Sequence, residues 1–115
     1  MHELAVTESI VEIVQRHAQQ AGAVKVRRIH LLIGELSSIV DDSVQFYFDF
    51  VSQGTLAEGA ELVFHRRAVA LVCAACGRRW EPADADWVCP DCQAQQARVI
   101  QGREFSVESI EVDEA

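Results

Sequence analysis

Four cysteines, arranged as two closely spaced pairs, are the residues of this sequence with the clearest metal chemistry. Cys73 and Cys76 form one C-x-x-C pair, Cys89 and Cys92 form the other, and twelve residues separate the pairs. Each pair offers two thiolates within one tight turn, and two such turns can close a tetrahedron of sulfur around Zn²⁺ at about 2.3 Å. Four thiolates leave no open coordination position, so the pattern predicts a structural zinc site.

Two alternatives remain open from the cysteine pattern alone. A single C-x-x-C pair would be compatible with a redox dithiol or a disulfide, but two pairs in one short chain favour a metal. The C-x-x-C-G and C-P-x-C turns also resemble those of rubredoxin, and four thiolates suit iron as well as zinc. We favour zinc over iron because the rest of the chain is predicted to be a substantial α/β domain, not the small protein shell of an electron carrier. We expect Trp80 and Trp87, which flank the intervening loop, to pack over the thiolates.

A second set of candidate ligands lies at the N-terminus, where Met1 is followed by His2 and Glu3. The α-amino group of Met1, the backbone nitrogen of His2 and the Nδ1 atom of His2 can occupy three corners of a square around Ni²⁺ or Cu²⁺. The backbone nitrogen of Glu3, or a side chain from elsewhere, could fill the fourth corner. Square nitrogen sites suit these two ions better than zinc, which prefers a tetrahedron.

The bulk composition excludes several classes of protein. Half of the residues are hydrophobic and 24% are charged, which is typical of a globular chain. The formal net charge of −8 repels polyanions, so nucleic acid is not expected as a partner. We also expect no membrane association, because no segment has the length and apolarity of a membrane span. The cytoplasm is the expected location, because Met1-His2-Glu3-Leu4 carries a carboxylate where a secretory signal needs positive charge. Its reducing environment favours metal ligands or redox thiols over disulfides.

Hydrophobic periodicity predicts the elements that must position these ligands. An amphipathic helix is predicted over about residues 4–21, and alternation of β-branched residues predicts a strand over 24–33. A second helix is predicted over about 43–52, beginning with a capping box formed by Asp42 and Gln45. A second long strand is predicted to run from Ala60 to Cys73 without interruption.

A third strand is predicted after Gly102, with its apolar residues divided between two faces: Phe105 and Val107 on one, Ile110 and Val112 on the other. That change of face indicates a bulge or an edge position. The predicted fold class is therefore α/β (α+β), a small three-stranded sheet packed with two helices, into which a four-cysteine, zinc-ribbon-like module is inserted. Residues 1–70 plus 101–115 would form the α/β domain that binds nickel, and residues 71–100 the zinc-binding module.

Five segments of the sequence resemble the HypA/HybF family: Met1-His2-Glu3-Leu4, Gly34-Glu35-Leu36-Ser37, Phe46 to Phe50, the four cysteines, and Gln101-Gly102. The resemblance covers nearly the whole chain. It implies a nickel metallochaperone for [NiFe]-hydrogenase maturation, which has no catalytic turnover of its own. It also implies work with the GTPase HypB, transfer of nickel to the hydrogenase large subunit, and, in some relatives, urease as a further client. A homodimer is also compatible with the sequence.

The resemblance assigns roles to individual residues. It implies that His2 is the essential nickel ligand, that Glu3 supports binding or partner contact, and that the four cysteines hold structural zinc. An acidic residue after the Gly34 turn helps at the nickel site in some relatives, and Asp41 or Asp42 could match it. Either residue is equally suited to cap the second helix.

The other histidines carry weaker signals. Some relatives have histidines beside the cysteine pairs, but here none lies between Val69 and Ala115, so histidine-linked switching of the zinc site is not expected. His17 and His30 are predicted to be packing residues, and His65 to be a surface residue.

Two other functions compete with a metal carrier. The first is a zinc-ribbon module that docks nucleic acid or protein, which the negative charge disfavours. The second is a rubredoxin-like iron electron carrier. An enzyme is disfavoured, because no nucleophile with a neighbouring base can be identified and a closed four-thiolate site offers no open position.

Overall fold

The computed structural model describes residues 3–83 and 86–114, and within them two helices and six strands. In chain order these are α1 (Glu3–Gln20), β1 (Ala23–Gly34), α2 (Asp41–Val51), β2 (Glu61–Arg67), β3 (Ala70–Cys73), β4 (Arg79–Trp80), β5 (Ala97–Gln101) and β6 (Phe105–Glu114). The strands form two three-stranded sheets, ordered β2-β1-β6 and β4-β3-β5. The predicted α+β class is confirmed. Within these residues, no helix is long and apolar enough to cross a membrane.

The chain divides into two compact units that are each built from separate segments. The first unit contains Met1–Leu32, Ser38–His65 and Phe105–Ala115, and the second contains Ile33–Ser37 and Arg66–Glu104. The polypeptide therefore passes between the units more than once. The cysteines all belong to the second unit, whereas both helices belong to the first.

The core of the first unit follows directly from helical and strand periodicity. Helix α1 buries Ile10, Val14 and Ala18, which are four residues apart and lie on one face of the helix. That face packs against α2, which buries Val44 and Phe48 at the same spacing. The remaining core positions come from the sheet and the segment before β2: Val26, Ile29, Leu31, Ala57, Ala60 and Leu62.

The predicted capping box at the start of α2 was wrong. The residue at the N-cap is Val40, which has no side-chain hydrogen bond to offer, and Asp41 and Asp42 lie in the first helical turn. Their negative charges still favour this position, because the N-terminal end of a helix carries partial positive charge. The backbone N–H of Val40 donates to the Glu3 carboxylate at 3.3 Å, so a residue distant in sequence replaces the local cap.

The predicted long strand from Ala60 to Cys73 was also wrong, because it is divided into β2 and β3, which belong to different sheets. The break falls at Ala68 and Val69. The carbonyl of Ala68 accepts a hydrogen bond at 3.0 Å from the side chain of Gln101, the last residue of β5, instead of one from a strand backbone. Hydrophobic alternation continues through such a break, which is why periodicity alone did not reveal it.

Strand β6 corrects the predicted distribution of its apolar residues. All four of them, Phe105, Val107, Ile110 and Val112, pack against the core of the first unit. Two consecutive residues between these pairs, Glu108 and Ser109, are both exposed. This extra outward residue restores both pairs to the same face, as a bulge does.

Two glycines of the second unit make an unusually close backbone contact. A Cβ atom built on Gly34 would lie 2.0 Å from the carbonyl carbon and oxygen of Gly102, which is well inside van der Waals contact. Two backbone hydrogen bonds hold this contact: Gly34 N–H donates to the carbonyl of Glu104 and Leu36 N–H to that of Gly102, each at 2.8 Å. Gly102 itself has φ +117, a conformation that favours glycine.

Candidate metal centres

The two cysteine pairs lie in turns of the same backbone geometry. In the first turn, the N–H of Gly77 donates to the carbonyl of Cys73 at 2.8 Å, and Gly77 has φ +80. In the second, the N–H of Gln93 donates to the carbonyl of Cys89 at 3.0 Å, and Gln93 has φ +61. Each turn therefore closes four residues after its first cysteine with a left-handed residue. This geometry brings both cysteines of each pair to the same side of their turn.

The four sulfur atoms are arranged as a tetrahedral metal site requires. The Sγ atoms of Cys73 and Cys92 are 3.6 Å apart, as are those of Cys76 and Cys89. A disulfide bond would need about 2.05 Å, whereas the edges of a tetrahedron with 2.3 Å zinc–sulfur bonds measure about 3.8 Å. All four sulfurs lie within 4.8 Å of one another. The group therefore fits one four-coordinate ion, and thiolates suit zinc or iron.

Backbone groups near the sulfurs favour thiolate at one position. The pKa of Cys89 is lowered to about 7, above all because the backbone of Cys92 hydrogen-bonds to its sulfur. At Cys76 the backbone of Arg78 also lowers the pKa, but contacts with the other cysteine sulfurs and burial outweigh it and raise the pKa to about 12. Sulfurs this close therefore share protons unless a cation balances the charge of four thiolates. An ion pair also links the two turns, with Arg78 Nη1 2.9 Å from the carboxylate of Asp91.

Met1 and His2, the predicted N-terminal nickel ligands, lie outside the described residues. Glu3 is the first residue of α1, and its carboxylate accepts the hydrogen bond from the backbone of Val40. The start of α1 therefore lies beside the start of α2, where Asp41 is half-buried and Asp42 is exposed. The structure thus brings together the backbone that follows His2 and the segment that carries the two aspartates.

Comparison with known proteins identifies the family. A family model described as "Hydrogenase/urease nickel incorporation, metallochaperone, hypA" matches residues 1–112. The hydrogenase maturation factor HypA of Dehalococcoides mccartyi is 45% identical over 114 residues, which cover 99% of this chain and 96% of that protein. The hydrogenase maturation factor HybF of Salmonella typhimurium is 41% identical, with coverage of 98% and 100%. The chain belongs to the HypA family.

Solved structures of HypA have the same fold. The solution structure of the Ni metallochaperone HypA from Helicobacter pylori matches with a TM-score of 0.77 and 27% identity, covering 100% of both chains. Another solution structure of a HypA protein matches with a TM-score of 0.80 and 28% identity, covering 97% of this chain and 96% of that one. The HypA family comprises metallochaperones and maturation factors, so this chain is not an enzyme.

Among the histidines, the predictions for His17 and His30 were wrong. His17 is exposed on α1. His30 is half-buried but does not pack in the core, because both ring nitrogens make polar contacts, with His65 at 2.8 Å and Glu111 at 2.6 Å. A sequence signal for His30 existed, since its neighbours Ile29 and Leu31 are both apolar, which points the residue between them away from the core. Trp80 and Trp87 are half-buried, and their packing over the sulfurs remains a prediction.

The second cysteine turn of this HypA-family chain contains a strained residue that can be tested. Gln93 has φ +61, and a residue with a Cβ atom in this region costs about 1 kcal/mol relative to glycine. We expect Gln93→Gly to raise the stability of the zinc-loaded protein by about 0.5–1 kcal/mol in urea unfolding. The neighbouring substitution Gln95→Gly is the control and should destabilise, because it adds only chain entropy to the unfolded state. An equal loss of stability in both variants would contradict the strain at Gln93.

Proposed function

We propose that this chain is a nickel carrier that binds Ni²⁺ at its N-terminus and delivers it during [NiFe]-hydrogenase maturation. The observation that carries the proposal is the family match over residues 1–112, which spans both sets of candidate ligands. We further propose that Cys73, Cys76, Cys89 and Cys92 hold a structural zinc ion, which their sulfur distances support. Membership of the family does not favour the nucleic-acid and rubredoxin-like alternatives.

The proposed nickel site uses the Met1 α-amino nitrogen, the His2 backbone nitrogen and His2 Nδ1. Glu3 would contribute its backbone nitrogen or support the site through its carboxylate. The contact between Glu3 and Val40 supports Asp41 as an acidic group close to the site, because Asp41 follows Val40 directly. Nickel is the cargo here, so a site at the end of the chain, open to a second protein, suits transfer better than a closed site does.

The two metals would then have separate roles in separate parts of the chain. We propose that residues 1–70 plus 101–115 act as the nickel-binding domain and residues 71–100 as the zinc-binding module. A four-thiolate site is coordinatively closed and retains its ion, whereas an N-terminal chelate exchanges its ion as its ligands gain or lose protons. This difference allows the protein to keep zinc while it releases nickel.

The proposed partners follow from the same function. A HypB-type GTPase would act with this chain, the hydrogenase large subunit would receive the nickel, and urease would be a further client. We place these encounters in the cytoplasm, where reduced thiols persist. A homodimer would present two N-termini to such partners, and light scattering with and without nickel tests for it.

The nickel site is tested by calorimetric titration of zinc-loaded protein with Ni²⁺. We expect His2→Ala, and a variant with residues added before Met1, to lose the tightest nickel-binding step, because each removes a nitrogen ligand. Nickel affinity of the natural protein should fall on acidification through about pH 6.5, where a histidine ligand gains a proton. Mass spectrometry first confirms that Met1 is present with a free amine.

His17→Ala is the matched control, since it removes an exposed histidine from the same helix that follows the proposed site. It should bind nickel as the natural protein does. Zinc content should stay the same in every variant, because the cysteines are untouched. Equal affinity for the tightest nickel in the natural, His2→Ala and extended proteins would refute the N-terminal chelate.

A further inference from the structure

Three polar side chains form a row across the sheet β2-β1-β6, one from each strand. His65 of β2 contacts His30 of β1, with His65 Nε2 2.8 Å from His30 Nδ1. His30 Nε2 in turn lies 2.6 Å from the Oε2 atom of Glu111 on β6. The two imidazole rings have centroids 5.1 Å apart and planes inclined by 26°, so they meet with their nitrogen atoms facing one another. None of these residues belongs to the cysteine group or to the N-terminus.

The carboxylate of Glu111 determines which nitrogen of His30 carries a proton. The pKa of Glu111 is lowered, first because His30 hydrogen-bonds to it and then because Arg28 does. An ionised carboxylate only accepts hydrogen bonds, so His30 Nε2 must be the donor. In the neutral ring the other nitrogen, Nδ1, then has a free lone pair directed towards His65. A carboxylate that holds one imidazole nitrogen protonated is the usual support behind a histidine that binds metal through the other.

We propose that His30 Nδ1 and His65 Nε2 bind one divalent transition-metal ion, with Glu111 as the positioning residue. Two nitrogen ligands at 2.1 Å are separated by about 3.0 Å when they subtend a right angle and by about 3.4 Å at the tetrahedral angle. The present 2.8 Å separation is closer to the right angle, which Ni²⁺ and Cu²⁺ prefer over Zn²⁺. Water molecules complete the coordination.

Binding requires one proton to move and the His65 ring to reorient. Without metal, His65 Nε2 donates its proton to the Nδ1 lone pair of His30. On binding, His65 keeps a proton on Nδ1 instead, so that Nε2 is free to coordinate, and no net proton is released from the neutral pair. Glu111 keeps the His30 ring in place, and the His65 ring moves aside so that its Nε2 lone pair and the Nδ1 lone pair of His30 converge on one ion. His65 is exposed, so this movement is sterically open.

The charges around the pair are compatible with a cation. Arg28 lies 2.9 Å from both the Glu61 and the Glu111 carboxylates, so one guanidinium faces two carboxylates. With both histidines neutral, this patch carries a net negative charge that attracts a divalent ion. Only two protein ligands hold the ion, so we expect weaker binding than at a chelate with three or four nitrogens. The sheet site is separate from the proposed nickel site at the N-terminus, because the two share no ligand.

The test uses the full chain, loaded with zinc and carrying His2→Ala, so that nickel at the N-terminus does not contribute. Calorimetric titration with Ni²⁺ should detect one equivalent per chain. This binding should be lost when His30→Gln or His65→Gln is added, and kept when His17→Gln is added, which removes an exposed histidine elsewhere. Circular dichroism checks that each variant is folded. Failure of the proposed N-terminal site would not affect this result, because that site is removed throughout.

Two further measurements separate a metal site from an ordinary hydrogen-bonded pair. Glu111→Gln should weaken nickel binding by about 10-fold, whereas Asp113→Asn should not, because Asp113 pairs with Arg27 instead. Nitrogen NMR of the imidazoles, with diamagnetic Zn²⁺ as the probe at higher concentration, should show the His65 proton move from Nε2 to Nδ1. Nickel binding that survives the loss of either His30 or His65, or a His65 ring that keeps its proton on Nε2, would overturn the proposal.

Discussion

Replacing Cys92 with alanine is expected to abolish stable zinc binding and to unfold the part of the second unit around the cysteine turns. The remaining three sulfurs would have to recruit water as a fourth ligand, and metal binding supplies much of the folding free energy of such small sites, about 10–16 kcal/mol in zinc-finger peptides. The sheet of this unit cannot compensate, because β4 has only two residues and β3 only four. Elemental analysis and thermal unfolding of the purified variant measure both effects.

Cys92 is the better position for this test than Cys73, since Cys92 is exposed and its truncation leaves no buried cavity. Cys73→Ala should also lose zinc. Because Cys73 is buried, however, the substitution would also leave a cavity, and the loss of stability would then have two causes. Ala75→Ser is the matched control, because it changes an exposed residue of the first turn without touching a sulfur. We expect the helical signal of the first unit to persist in part in both cysteine variants. One zinc per chain with unchanged thermal stability in Cys92→Ala would rule out the structural role.

Gly34→Ala is expected to destabilise the protein by more than about 3 kcal/mol, the upper range for overpacking in a core. The added methyl group would lie 2.0 Å from the backbone of Gly102, and backbone atoms cannot rotate away as a flexible side chain can. The two segments must separate, which breaks the hydrogen bonds from Gly34 to Glu104 and from Leu36 to Gly102. Urea unfolding of the zinc-loaded protein measures the loss.

Gly22→Ala separates this steric effect from backbone strain. Gly22 has φ +70, but a methyl group there meets nothing within 4 Å. We therefore expect only the cost of a left-handed residue, about 1 kcal/mol. A loss of stability in Gly34→Ala no larger than in Gly22→Ala would show that the two backbone segments can separate at little cost.

The sequence predicted the elements whose causes are local. Helix α1 and strand β1 begin and end within one residue of the predicted bounds, because periodicity and a following glycine mark both. The cysteine group was predictable for the same reason, since each C-x-x-C pair is one turn of the chain. These features do not depend on contacts with residues that are distant in the sequence.

The features that the sequence did not predict depend on residues far apart in the chain. The backbone at the start of α2 donates from Val40 to Glu3, thirty-seven residues earlier, and the break after β2 involves Gln101, thirty-three residues beyond Ala68. The short strand β4 has too few residues for any periodicity, and β5 is defined by its pairing with β3, which the hydrophobic pattern does not specify. The row of His65, His30 and Glu111 likewise requires the strand order β2-β1-β6, which hydrophobic pattern does not specify.

The order β2-β1-β6 also has a consequence for the protein during its synthesis on the ribosome. Strand β1 is the central strand of this sheet. One of its edges is covered by β6, which is synthesised only after Arg66–Glu104 has been added. At 5–20 residues per second, that segment takes about 2–8 s to translate. For those seconds β1 has an open edge, the feature through which nascent chains aggregate. Lys25, Arg27 and Arg28 are exposed along β1, and their like charges would repel the same strand of a neighbouring nascent chain until β6 arrives.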